Sequence, residues 1–249
     1  MKKRITTSPE SFTEIISQPI LPSIRLNDRI AIFGGTGTGK SILAQVMIRS
    51  LPVNWWKVIV DITDSVIEPY ALTFYNPYEI PWDKAYYLRF VPDINADLEE
   101  QIDALYFNIF YHGACFVWLD EANEVTTAHH TAFGLRKTLL QGRKAYVGHL
   151  SCTPRPADIS KSIVTQAQYL ITFALVDFDD RMRVARYIGM TGDEFDEHIS
   201  KLGDHEYLFY DVAYRNLYVV PAVPAEIVDS ILNPPETPPE LAKPESSIL

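Results

Sequence analysis

Eight consecutive residues, Gly34-Gly35-Thr36-Gly37-Thr38-Gly39-Lys40-Ser41, have the spacing that wraps a backbone around a phosphate: glycine, four residues, glycine, lysine and a hydroxyl residue. Inward-turned N–H groups need residues without a Cβ, and the helix that should follow adds its unpaired N–H groups and positive end. Gly34, Gly35, Thr36, Gly37, Thr38, Gly39, Lys40, Ser41 and Ile42 are therefore the candidate nucleotide contacts. Lys40 would reach the β and γ phosphates, and the Ser41 hydroxyl would ligate Mg²⁺.

A phosphate loop alone specifies binding. The complementary signal is Cys115-Phe116-Val117-Trp118-Leu119, a continuous apolar run that ends in Asp120-Glu121. A buried parallel strand delivers such an acidic pair to the rim where layered α/β sheets bind ligands. Asp120 would hold the metal beside Ser41, and Glu121 would orient and deprotonate an attacking water. A water-directed acid favours hydrolysis over transfer to a substrate hydroxyl. Thr153, with Ser151 second, is placed to sense the terminal phosphate after the next strand. An arginine given by a neighbouring subunit would neutralise transition-state charge; Arg143 is the first candidate, followed by Arg155 and Arg136.

The elements that must position these groups alternate. Strands are predicted over 29–33, 57–61, 85–90, 115–119, 146–151 and 169–173. Helices are predicted over 40–51, stopped by Pro52, and over 93–112, 131–141 (closed by Gly142), 177–188 and 193–201. The aromatic stretch 67–84 is kept from helix by Pro69, Pro77 and Pro81. Runs 206–211 and 213–220 alternate as an antiparallel hairpin. From Pro224 the chain is proline-rich and acidic and reads as an extended tail. This order predicts an α/β layered fold with a mostly parallel central sheet flanked by helices.

The 249 residues carry a net charge of −10, against a uniformly basic coat for nucleic acid, though a local basic stripe or pore remains compatible. Cys115 and Cys152 sit in apolar runs and read as reduced core thiols of an intracellular protein. No apolar run reaches the ~20 residues of a membrane span. His129-His130 reads as a surface pair and His149 as a satisfied strand histidine. The aromatic residues at 55–56 and 70–87 read as core or interface filling, with base stacking as the alternative.

Together these features resemble the FtsK–HerA group of ring-forming, DNA-pumping ATPases, above all its small members that package viral genomes. The resemblance spans about residues 25–220 and rests on Gly34–Ser41, Val58-Ile59-Val60-Asp61, 116–121, Gly142-Arg143-Lys144 and Thr153-Pro154-Arg155-Pro156-Ala157-Asp158-Ile159. The sensor glutamine of the group falls on Pro154, which has no side-chain donor, so the role moves to Thr153. The resemblance implies a RecA-like P-loop NTPase core with a C-terminal β-hairpin, ATP and Mg²⁺ as cofactors, and a homo-oligomeric, hexameric ring. It further implies sequence-independent double-stranded DNA as cargo, capsid vertex proteins as partners, and a place in the host cytoplasm and the virion. The chain then divides into an arm (1–28), an ATPase domain (29–223) and an acidic tail (224–249). Two other readings stand beside the packaging motor: an ATPase that drives protein assembly or secretion, and a nucleotide-bound structural ring without turnover.

Overall fold

Short β-branched and apolar runs bounded by turns form strands, and the longer runs with helical spacing cover them. A computed structural model describes residues 23–234. In chain order the elements are β1 (Arg29–Phe33), α1 (Lys40–Arg49), β2 (Trp56–Asp61), β3 (Leu72–Phe74), β4 (Tyr87–Phe90), α2 (Leu98–His112) and β5 (Cys115–Asp120). There follow α3 (Phe133–Gln141), β6 (Gly148–Thr153), α4 (Lys161–Thr165), β7 (Tyr169–Thr172), α5 (Phe178–Ile188) and α6 (Gly192–Ile199). The hairpin β8 (Tyr207–Asp211) and β9 (Asn216–Val220) and the helix α7 (Ala225–Leu232) complete the order. Among the described residues the strands form one nine-stranded sheet, β3-β4-β2-β5-β6-β1-β7-β8-β9. Neighbours from β3 to β7 run parallel, and β8 and β9 are antiparallel.

The two faces of the sheet carry separate cores. Ile30, Ile32, Ile59, Trp118 and Leu150 pack with Leu43, Met47 and Ile48 of α1 on one face. Ala31, Phe33, Val58, Val117 and Leu119 pack with Ile102, Leu105, Ile109 and Leu135 of α2 and α3 on the other. Each of the larger of these side chains contributes about 1.5–3 kcal/mol by leaving water. All six residues of β5 are buried, as a central parallel strand requires. Asp97 starts α2 by accepting from the Glu100 N–H at 2.9 Å. The end of the predicted arm, Ile24 and Leu26, packs on the α1-side core, while residues 1–22 and 235–249 of the predicted arm and tail lie outside the described residues.

Several boundaries differ from the sequence reading. Helix α2 begins at Leu98, where Asp97 caps it, rather than at residue 93. The stretch 67–84 contains β3, whose strand geometry comes from pairing with β4. The strand expected over 146–151 is Gly148–Thr153, because Tyr146 takes a left-handed conformation (φ 55°) and the chain bends there. Gly142 does not close α3 by a left-handed turn; it is right-handed (φ −57°), and a 3-10 turn continues through Ala145. Its lack of a side chain serves space: a Cβ there would stand 3.3 Å from Thr138 and Val147 side-chain carbons. Finally, the start of the predicted extended tail is α7, whose Ile231 is buried.

Gly148 is a second spacing glycine, since a Cβ on it would lie 2.2 Å from the Leu26 carbonyl oxygen and 2.5 Å from the Phe116 ring. Gly148→Ala is expected to destabilise the fold by about 1–3 kcal/mol, seen as a lower urea midpoint; an unchanged midpoint would contradict this packing.

His149 is buried on β6 between the Tyr106 hydroxyl (2.9 Å from Nε2) and the Ser151 hydroxyl (2.9 Å from Nδ1). Burial, helped by the nearby Arg29 charge, lowers its pKa from 6.5 to about 3. The folded protein thus refuses a proton that the unfolded chain accepts below pH 6.5, so this site removes stability as pH falls from 6.5 toward 3. At pH 5 the loss is on the order of 2 kcal/mol. Urea titrations at pH 7 and pH 5 should show that loss, and His149→Gln should reduce the pH dependence.

Candidate nucleotide site

The phosphate loop connects the end of β1 to the start of α1, where the chain must turn sharply around empty space. Gly37 (φ 79°) and Gly39 (φ 105°) occupy the left-handed region that a side chain would disfavour. Gly34 is needed for close approach: a Cβ there would lie 2.6 Å from Phe173 Cβ and 2.7 Å from Thr38 Oγ1. The loop is tied down by Gly35 N–H donating to the Ala174 carbonyl (3.1 Å) and by Thr38 Oγ1 donating to the Gly35 carbonyl (2.8 Å). Leu43 N–H donates to Gly39 (2.9 Å), so the earlier N–H groups of α1 face the loop, as an anion site requires.

Lys40, 5% exposed, donates from Nζ to the Gly35 carbonyl at 3.0 Å. The Ser41 hydroxyl donates to Asp120 at 3.3 Å, across from the end of β5. Thr36, Lys40, Ser41, Ile42 and Glu121 line a single cavity of about 420 Å³. Lys40 and Glu121 therefore share one space, the geometry on which the sequence reading depends.

The acids are tuned by their surroundings. Burial, then the Glu121 and Asp61 charges, raises the Asp120 pKa from 3.8 to about 6, against the pull of Lys40 and Ser41. Glu121 is half-buried, and burial also raises its carboxyl above the usual range, with Lys40 opposing. Its backbone is left-handed (φ 48°, ψ 55°), which turns the chain into the 3-10 turn Ala122–Glu124 immediately after β5. Asp61, the acid ending β2, stands in register with Asp120 and is held by Arg89 (2.6 Å) and by the N–H groups of Ser65 and Val66. Asp61 is thus already paired, whereas Asp120 is bonded only by the Ser41 hydroxyl. Asp120 and Ser41 are the oxygen donors left for a hard divalent cation, and among the described residues no cluster of three or more acidic, histidine or cysteine ligands surrounds them.

The remaining sequence candidates are dispersed. Thr153 ends β6, fully buried; its hydroxyl donates to Asn123 Oδ1 (3.2 Å) and accepts from the Arg155 N–H (3.1 Å). It does not border the cavity. Ser151 is engaged with His149. Arg143 lies in the 3-10 turn before β6, exposed and close to Arg29. Because β1 and β6 run parallel, with Arg29 beside His149 and Phe33 beside Thr153, Arg143 stands on the opposite rim of the sheet from the loop. Arg155 is on the loop's rim but pairs with Asp180 (3.1 Å), and Arg136 is exposed on α3. His130 forms a surface pair with Glu99 (3.0 Å), while Trp56 donates to the Trp82 carbonyl and packs on His112.

Sequence reasoning missed one side of the cavity. His205 donates or accepts at Nδ1 against the Thr38 carbonyl (3.0 Å); since a carbonyl only accepts, Nδ1 carries the proton. Phe173, Ala222, Val223, Val228 and Leu232 also line the cavity. The helical spacing of Ile227, Val228, Ile231 and Leu232 was a readable signal for α7. Nothing local pointed to His205.

Sheet order, phosphate loop and acid-tipped neighbouring strand define a P-loop NTPase fold with a C-terminal antiparallel hairpin. No protein-family model and no curated relative matches the sequence, and its likeness to known proteins is structural. The chain is similar to the genome packaging NTPase B204 of Sulfolobus turreted icosahedral virus 2 in complex with AMPPCP (TM-score 0.66, 19% identity, 80% of this chain and 100% of that one). It is also similar to VirB4 of Thermoanaerobacter pseudethanolicus (0.56, 12%, 81% and 91%) and to EssC ATPases 2 and 3 of Geobacillus thermodenitrificans (0.52, 14%, 82% and 42%). At these identities the likeness establishes the fold, which is the one that the resemblance to FtsK–HerA ATPases implies.

Proposed function

We propose that this protein is an ATPase of the FtsK–HerA type that moves double-stranded DNA and packages a viral genome. The observation that carries the reading is the convergence of Lys40, Ser41 and Glu121 on one cavity, with Asp120 bonded to Ser41 behind it. The similarity to a genome packaging NTPase supports the cargo.

In this reading the loop N–H groups and Lys40 hold the β and γ phosphates. Ser41 and Asp120 would hold Mg²⁺, which when bound supplies charge neutralisation at the phosphates. Glu121 orients a water and takes its proton as the water oxygen bonds to the γ phosphorus; the bond to the bridging oxygen breaks, and ADP leaves with that electron pair. Arg143, on the far rim, reaches a nucleotide only in a neighbouring copy, consistent with a ring of identical, hexameric subunits. Thr153, at the end of β6 on the loop's rim, is the proposed sensor of the terminal phosphate, its hydroxyl bonded to Asn123. Residues 29–223 form the body of the motor domain, to which α7 adds one wall of the cavity. Capsid vertex proteins are partners, and host cytoplasm and virion the sites of action. Grip on the cargo is on its phosphate backbone, independent of sequence.

The test is ATP turnover with and without long duplex DNA, together with the mass of the assembled species. DNA-stimulated hydrolysis by a ring-sized assembly supports the reading. Hydrolysis indifferent to DNA would redirect it to a protein cargo, and absence of phosphate release would reduce the protein to a structural ring.

A further inference from the structure

The cavity at the phosphate loop is built in part by segments of the chain distant from the loop in sequence. Ala222 and Val223, in the extended link after β9, and Val228 and Leu232 of α7 form a wall there, with Phe173 beneath the loop. Val228 is half-buried, while Ile227 and Leu232 are 37% and 53% exposed, so α7 keeps apolar surface uncovered beside the cavity. A second groove shares His205, Ala222, Val223, Val228 and Leu232 with the cavity, so the two adjoin at this wall.

The chemistry of the wall is one-sided. None of Phe173, Ala222, Val223, Val228 and Leu232 has a side-chain hydrogen-bond donor or acceptor. The polar side chain that accompanies them, His205, has its Nδ1 proton committed to Thr38, in a left-handed backbone (φ 60°) that fixes it against the loop, so it offers the wall one acceptor, Nε2, and no donor. Apolar walls of this kind hold a flat ring by its faces and bulk. They discriminate weakly between rings that differ only in edge groups, whereas strong discrimination needs polar partners left unpaired by the wrong ligand.

We propose that the C-terminal segment 222–232 is the base-binding half of the nucleotide site and grips the purine by its faces, so that adenine and guanine nucleoside triphosphates are accepted alike. The inference rests on the nucleotide-hydrolysis reading above and names the substrate class of that site. It makes α7, outside the predicted motor domain, part of the catalytic pocket.

The test uses the full chain and measures dissociation constants for ATP, GTP and inorganic tripolyphosphate, each with Mg²⁺, by calorimetry on wild type and Val228→Asp. The expected wild-type result is ATP and GTP within about tenfold of each other, the most that one neutral hydrogen bond to His205 would give, and both at least about tenfold tighter than tripolyphosphate. Val228→Asp should weaken both nucleotides about tenfold or more and move tripolyphosphate by less than about twofold, the latter showing that the phosphate loop of the variant is folded. A preference for ATP over GTP beyond about tenfold would overturn the inference by showing that the base edge is read. So would nucleotide affinities unchanged in Val228→Asp. Either result leaves the hydrolysis reading intact, whereas failure of wild type to bind any of the three, tripolyphosphate included, overturns both.

Discussion

Glu121→Gln is expected to bind ATP with near wild-type affinity while phosphate release falls by about 10²–10⁴. The amide keeps the size and hydrogen-bonding reach of the carboxyl but cannot take a proton. Position matters as much as identity: the left-handed backbone at Glu121 turns the side chain out of β5 into the cavity that Lys40 and Ser41 also line. Half-burial raises the proton affinity of the carboxyl and so makes it a better base, with Lys40 restraining the rise. Single-turnover phosphate release measured beside nucleotide affinity checks this. Release close to wild type would remove Glu121 as the base.

Lys40→Ala should lower kcat/KM by at least about 10² and weaken nucleotide binding with it. The ammonium is buried and held on the Gly35 carbonyl, so it is aimed before any ligand arrives. It is also the opposing charge for Asp120 and Glu121, and both carboxyls should become harder to ionise without it. Lys40→Arg should not restore function, because a planar guanidinium does not substitute for a point charge inside a tight loop. Steady-state kinetics on the two variants test the assignment, and turnover unchanged in Lys40→Ala would contradict it.

The parts of this site that could be read from the chain are those whose chemistry is local. The phosphate loop needs fixed residue types at fixed spacing, and β5 needs an unbroken apolar run that ends in acids, so both were visible. The alternating hairpin β8–β9 was visible for the same reason. The difficulties arose where a partner far along the chain decides the structure. Leu72–Phe74 is a strand because β4 lies beside it. Tyr146 and Val147 look like strand, yet Tyr146 bends the chain and the Ala145 carbonyl accepts from Ala114. The prolines around α7 masked its helical spacing. His205 meets Thr38 across 167 positions, and no short pattern announces such a contact.

Uniform strand direction from β3 to β7 gives the molecule a polarity: carboxyl ends and phosphate loop on one rim, Arg143 and Lys144 on the other. That sidedness has a consequence for symmetry. Twofold pairing is reciprocal, residue i of one copy meeting residue j of the other and the reverse, so a dimer of that kind could complete two pockets and would then stop. Heterologous, head-to-tail association instead carries the cationic rim of each copy to the pocket of the next without ending, and a rotation that closes turns such a series into a ring.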